Sequence, residues 1–238
     1  MNLIYTFTSK LLKDNNKIFE VYLNSYKNNI RFHNILLYTD SYSYPTFKNT
    51  FKNIEILDIE NILFTDEYKF AVLEKIGKDD LLIDGDIFLT HPLIIPDKYD
   101  IICDTIVGNV MTEPFYTYYR NTVDILLENN INDVVDFFSN NVNLVTNIGI
   151  LKFKNSELEK KFLDYYWIIK NWYIKNNLEK KYAIIKNDYR SCAVFAQYFL
   201  SLFIKEHNLN VECLSDYNKY NHLSGDIKFN VCYEKTLI

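Results

Sequence analysis

The chain reads as an α/β domain: a mostly parallel central sheet with helices on both faces. Strand-like apolar runs alternate with helix-like segments through the first half. The run Leu81-Leu82-Ile83 is short and wholly apolar, as expected of a strand buried on both faces. No internal repeat and no Pro/Gly/Ser-rich linker divides the chain, which suits a single domain over 1–238.

The elements follow in order. Leu3 to Phe7 is the first strand, and Phe19 to Tyr26, with apolar spacing near 3.6, is a helix. Ile35 to Tyr38 is the second strand, running into Thr39-Asp40-Ser41, and Ile54 to Leu57 is the third. Thr65-Asp66-Glu67 opens a helix with a cap and acids in the first turn, and Gly77 closes it. Leu81 to Ile83 then forms the central strand. Residues 98–104 form another, and 114–140 are aromatic-rich and helical or irregular. Asn147 to Phe153 reads as a strand, 156–174 and 189–205 as helices, and 208–238 as a tail with one or two short strands.

Composition excludes several classes. Across 238 residues, 48% hydrophobic and 16% aromatic content supports a packed core and argues against disorder. A net charge of −5 argues against a nucleic-acid partner, which calls for a basic face. No apolar run is long enough for a membrane span, and the start lacks the basic-then-apolar pattern of a signal peptide, so a cytoplasmic location is expected. Cys103, Cys192, Cys213 and Cys232 stand far apart, without a CxxC pair, and read as buried free thiols. The heavy use of Ile, Asn, Lys and Tyr fits A/T-rich coding, so the Asn clusters are read as loop filler.

In open α/β sheets, ligands sit beyond the carboxyl ends of the strands. Asp84-Gly85-Asp86 stands there, at the end of Leu81-Leu82-Ile83, with apolar Ile87-Phe88-Leu89 after it. Two carboxylates one residue apart, with a glycine letting the backbone turn, can face one hard cation. Mg²⁺ or Mn²⁺ held this way keeps positions open for diphosphate oxygens. Near the far end, His222-Leu223-Ser224-Gly225-Asp226-Ile227-Lys228 offers a third ligand, a glycine for close backbone approach and a lysine for phosphate, or else a plain surface turn. Lys69 shares a helical stripe with Val72, Leu73 and Ile76. Either its stem snorkels at the rim of the core, or its ammonium reaches a buried anion beyond the next strand.

Together these features resemble the glycogenin-like, family 8 glycosyltransferases of the GT-A fold. Their motifs occur here in order: Lys69, Asp84-Gly85-Asp86, Asn147-Ile148-Gly149, Gln197 and His222-x-x-Gly225-x-x-Lys228. The resemblance spans residues 1 to about 229, within an uncharacterised bacterial branch. It implies a metal-dependent, retaining hexosyltransferase acting on a UDP-sugar. Asp84, Asp86 and His222 would hold Mn²⁺ (or Mg²⁺), and Asp84, Gly225 and Lys228 would meet the donor. Lys69, Asn147 and Ile148 would surround the donor sugar, and Thr6 and Thr8 would line the nucleoside pocket. Gln197 would sit beside the anomeric carbon. The family places Asp directly before that glutamine; here Ala196 stands there, and Asp188 or Asn187 upstream is the substitute. Residues 1–105 would form the nucleotide-sugar half and 106–238 the acceptor side.

The acceptor, whether glycan, protein, lipid head or small molecule, is not readable. Glu113 is a candidate for orienting it, and the aromatics from Phe115 to Tyr119 are either a sugar platform or core. Two other readings stand beside the transferase. One is a degenerate GT-A domain that binds nucleotide-sugar or a protein partner without turnover. The other is a haloacid-dehalogenase-type phosphatase, whose Asp-x-Asp belongs nearer the N-terminus with a Thr close behind.

Overall fold

The computed structural model describes residues 1–8, 16–60, 65–108, 144–175, 197, 199–201 and 203–223. Eleven strands are described: β1 (Asn2–Phe7), β2 (Asn34–Thr39), β3 (Ile54–Ile56), β4 (Leu81–Ile83), β5 (Ile87–Leu89), β6 (Ile101–Cys103), β7 (Ile106–Gly108), β8 (Leu144–Thr146), β9 (Ile150–Phe153), β10 (Val211–Cys213) and β11 (Tyr220–His222). The helices that matter below are α1 (Asn16–Asn29), α2 (Tyr44–Phe47), α3 (Thr65–Leu73) and α4 (Ser156–Lys175). The central sheet has seven strands in the order β10-β6-β9-β4-β1-β2-β3, and β5–β11 and β7–β8 form two small antiparallel ribbons. The expected mostly parallel α/β architecture is what the chain adopts.

Two compact units are present. The first comprises Met1–Lys98, Gly149–Lys152 and Leu214–Ile238; the second comprises Tyr99–Ile148 and Phe153–Cys213. In the first, β1 lies between β2 and β4 and runs parallel to both, with Leu3 opposite Ile35 and Leu81. Leu3, Ile4, Tyr5 and Phe7 are all buried, because a parallel strand covered on both faces has no solvent side. β3 forms the edge of the sheet, parallel to β2, and β9 pairs antiparallel with β4. α1 buries Val21, Tyr22, Ser25, Tyr26 and Asn29, a stripe at helical spacing that includes polar residues. In α3, Lys69 stands on the side of Val72 and Leu73 as expected, while Glu67 of the first turn is buried.

In the second unit, β6 and β10 run parallel, with Cys103 opposite Cys213. Their sulfurs lie 4.0 Å apart as buried free thiols, as the spacing of the cysteines predicts. Cys192 and Cys232 lie outside the described residues. Asn155 caps α4 by accepting from the Leu158 amide at 2.9 Å, and Phe162 stacks on Phe153 with ring centroids 5.4 Å apart.

Two elements differ from expectation. The helix that opens at Thr65 ends at Leu73, short of Gly77, so Ile76 lies beyond it. The strand predicted over Asn147–Phe153 begins only at Ile150, and Asn147 to Gly149 form a turn. Asn147 spends its backbone groups on Thr105 and Asp104, whereas Ile150 and Leu151 pair with β4. Two sets of partners break an apolar run that reads as continuous. β5, α2 and the β7–β8 ribbon were not expected; each is short enough to carry no period of its own. Among the described residues, no helix is long and apolar enough to cross a membrane.

Candidate metal centre

β4 ends at Ile83, and the chain turns through Gly85-Asp86 before β5. The turn is pinned at both sides. The Asp84 amide donates to the Gly149 carbonyl at 2.7 Å, and the Ile87 amide donates to the Asp84 carbonyl at 3.2 Å. Gly85 is buried here for a reason other than turning. A Cβ added to it would lie 2.3 Å from two ring carbons of Tyr22. The glycine therefore provides space for an aromatic ring of α1 rather than an unusual backbone conformation, which corrects the sequence-based expectation.

β11 brings the third side chain. It pairs antiparallel with β5, setting His222 opposite Ile87, and the Leu223 amide donates to the Asp86 carbonyl at 3.1 Å. His222 Nε2 consequently lies 3.5 Å from Asp86 Oδ1. One ligand atom from each of Asp84, Asp86 and His222 falls within 4.8 Å of the others. The Asp86 side chain is 5% exposed, too little for water to carry its charge. Lys69 approaches from α3, its ammonium 2.6 Å from Asp84 Oδ1. That pair decides the question left open for Lys69: its ammonium reaches an anion beyond the next strand.

The donor set fits a hard divalent cation. Two carboxylates and an imidazole are ligands for Mg²⁺ or Mn²⁺, and three protein ligands leave positions for substrate oxygens. Burial above all raises the Tyr5 phenol well above its ordinary range; the hydrogen bonds with Ser25 and Asn29 oppose the shift, and the charge of Asp86 adds a smaller increment to it.

Thr6 and Thr8 lie at the carboxyl end of β1, both buried. The Thr6 carbonyl accepts from the Tyr22 hydroxyl at 3.0 Å. The hydroxyls of Thr8, Thr39 and Ser43 have no hydrogen-bond partner among the described residues. Thr39 ends β2 opposite Phe7, so unspent hydroxyls cluster on the carboxyl ends of neighbouring strands.

Asn147, Ile148 and Gln197 belong to the second unit. There the Gln197 carbonyl accepts from Ser201 Oγ at 2.8 Å, and that same oxygen accepts from the Thr146 amide at 3.0 Å. Ser201 thus links the turn of helix at Gln197 to the end of β8. Asp188, Glu113, Gly225 and Lys228 lie outside the described residues, as do Asn187 and the aromatics from Phe115 to Tyr119. Sequence reading missed Tyr22, Ser25 and Asn29. The available signal was polar residues falling on the buried stripe of a helix.

No family model matches the chain, and no curated protein matches it in sequence. Among solved structures it is similar to mouse xyloside xylosyltransferase 1 in its apo form, at 12% identity and a TM-score of 0.46, covering 90% of this chain and 85% of that one. It is similar to the galactosyltransferase LgtC in complex with donor and acceptor sugar analogues, at 10% identity and a TM-score of 0.35, covering 67% and 59%. The glycosyltransferase GlyE of Streptococcus pneumoniae TIGR4 aligns at 12% identity and a TM-score of 0.42, covering all of this chain (100%) and 61% of its own. With each TM-score below 0.5, no role passes from these proteins to residues of this chain.

Proposed function

We propose that this protein is a divalent-metal-dependent glycosyltransferase of the GT-A type, moving a sugar from a UDP-sugar to an acceptor with retention of configuration. The observation that carries the reading is the convergence of Asp84, Asp86 and His222 within 4.8 Å, at the carboxyl end of a buried parallel strand. A divalent ion bound there supplies neutralisation of the charge that develops on the leaving diphosphate.

On this reading Asp84, Asp86 and His222 hold Mn²⁺ or Mg²⁺. Lys69 balances Asp84 and faces the donor sugar. Thr6 and Thr8 bind the nucleoside, and their buried position suits a ligand that excludes water. Gly225 and Lys228, three and six residues beyond His222 in the sequence, meet the diphosphate. Asn147 and Ile148 contact the sugar. Gln197 stands behind the anomeric carbon, with Asp188 in place of the carboxylate that Ala196 lacks, and Glu113 orients the acceptor. Asp84 and Asp86 are both committed to metal, so neither is left as an attacking nucleophile; this disfavours the phosphatase reading.

A thermal-shift screen of nucleotides and UDP-sugars, with and without Mn²⁺, tests the proposal without knowledge of the acceptor. A rise in Tm with UDP that requires Mn²⁺ is the expected result, and the best sugar nominates the donor. No shift with any nucleotide, from protein verified as folded, overturns it. Binding without metal-dependent release of UDP from a UDP-sugar means a domain that recognises the donor and does not turn it over.

A further inference from the structure

α1 spends a stripe of buried polar side chains on the backbone around Asp86. Tyr22 lays its ring on Gly85. Ser25 Oγ donates to the Ile87 carbonyl at 2.8 Å. Asn29 Nδ2 donates to that same carbonyl at 2.7 Å, and Asn29 Oδ1 accepts from the Leu89 amide at 2.8 Å. Ser25 and Asn29 are both fully buried (0% exposed), so no water replaces these bonds.

The arrangement has a simple logic in strand geometry. β5 pairs with β11 along one edge, where the Asp86 carbonyl accepts from Leu223. Along the other edge, the Ile87 carbonyl and the Leu89 amide point outward two residues apart, as they would toward a further strand. The carboxamide of Asn29 presents one donor and one acceptor, like a peptide group, and satisfies both. Its remaining capacity is also used: Nδ2 donates to the Tyr5 hydroxyl at 2.7 Å, and Oδ1 accepts from Asn28 at 2.8 Å. A residue needed only to fill space between α1 and β5 would be apolar. The two peptides flanking Ile87 are therefore held from opposite edges: the one that joins Asp86 to Ile87 by Leu223, and the one that joins Ile87 to Phe88 by Ser25 and Asn29.

We infer that Asn29, seconded by Ser25, is a positioning residue for the candidate metal centre: it fixes the strand that leaves Asp86 and so sets that carboxylate against His222. The inference rests on the metal-centre reading above. It calls for loss of metal affinity on mutation, beyond loss of stability.

The test is direct titration of the full chain with Mn²⁺, read by the electron paramagnetic resonance of the free ion. The proteins compared are the wild type, Asn29→Ala, Ser25→Ala and Asp86→Asn. Phe162→Leu serves as a control that loses core packing in the second unit, with urea denaturation measuring each variant's stability. Asn29→Ala is expected to weaken Mn²⁺ about 10-fold or more, the range seen when support behind a ligand is removed. Ser25→Ala weakens it by a smaller factor, and Phe162→Leu leaves it unchanged. Folded Asn29→Ala with wild-type affinity overturns the inference while leaving the metal centre standing. If Asn29→Ala does not fold, unchanged affinity in Ser25→Ala overturns it instead. A wild type that binds no Mn²⁺, or binds it equally after Asp86→Asn, overturns the metal-centre reading and this inference with it.

Discussion

Gly85→Ala is the sharpest perturbation that the site offers. The new methyl would stand 2.3 Å from Cδ1 and Cε1 of Tyr22 and 2.6 Å from its Cγ. Carbon atoms pack at about 3.5–4.0 Å, so something has to move by more than about 1 Å. The ring is poorly placed to yield. It meets Phe7 edge-on at 4.8 Å between centroids, and its hydroxyl is tied to the Thr6 carbonyl. The turn is what shifts, and Asp84 and Asp86 flank it. Overpacking of this kind costs about 1–3 kcal/mol. Tyr22→Ala alone costs about 3–5 kcal/mol, as for other large aromatic truncations. In the double variant the clash is gone, so Gly85→Ala costs close to nothing there. The coupling energy in a urea-denaturation cycle should then equal the single-variant cost, about 1–3 kcal/mol. Mn²⁺ affinity should fall in Gly85→Ala and recover in part in the double variant. Additive stabilities, within about 0.5 kcal/mol, would refute the account of why a glycine stands here.

The remaining predictions concern charge. Asp86→Ala should abolish metal-dependent UDP binding while the fold survives; UDP affinity unchanged in that variant would sink the metal assignment. Lys69→Met leaves Asp84 without its 2.6 Å partner. With the two side chains 12% and 20% exposed, the loss lies between that of surface and buried pairs, about 1–3 kcal/mol in metal-free protein by urea denaturation. Mn²⁺ should restore part of it, and a variant as stable as wild type without metal would contradict the pairing. Burial raises the Tyr5 phenol above its unfolded value. Its contribution is therefore complete below about pH 10 and lost as pH rises further, because only the unfolded chain then releases the proton. Stability should fall above pH 10 by up to about 1.4 kcal/mol per pH unit for this group, with a flatter slope in Tyr5→Phe; an unchanged slope would count against it.

Much of the architecture was legible in residue order alone. β1 and β4 are apolar runs buried on both faces, as strands of a covered parallel layer are, and α1 announces itself by the spacing of Val21, Tyr22 and Tyr26. The Asp84-Gly85-Asp86 turn was legible too, because carboxylates directly after a buried strand must be held by something. His222 was readable only as one of two alternatives, since nothing local distinguishes a ligand from a histidine in a surface turn. Its place beside Asp86 comes from the pairing of β5 with β11, strands separated by more than a hundred residues. The same holds for Lys69, whose helical stripe allows either a solvated or a paired ammonium until Asp84 is seen 2.6 Å away.

The tertiary structure alone decided how the turn is held. Sequence determines periodicity, burial pattern and the kinds of atoms available, because these depend on residues a few positions apart. It does not determine which backbone groups a buried amide will meet. Asn29 and Ile87 stand 58 positions apart; only the packing of α1 on β5 turns a helical asparagine into the missing neighbour of a strand.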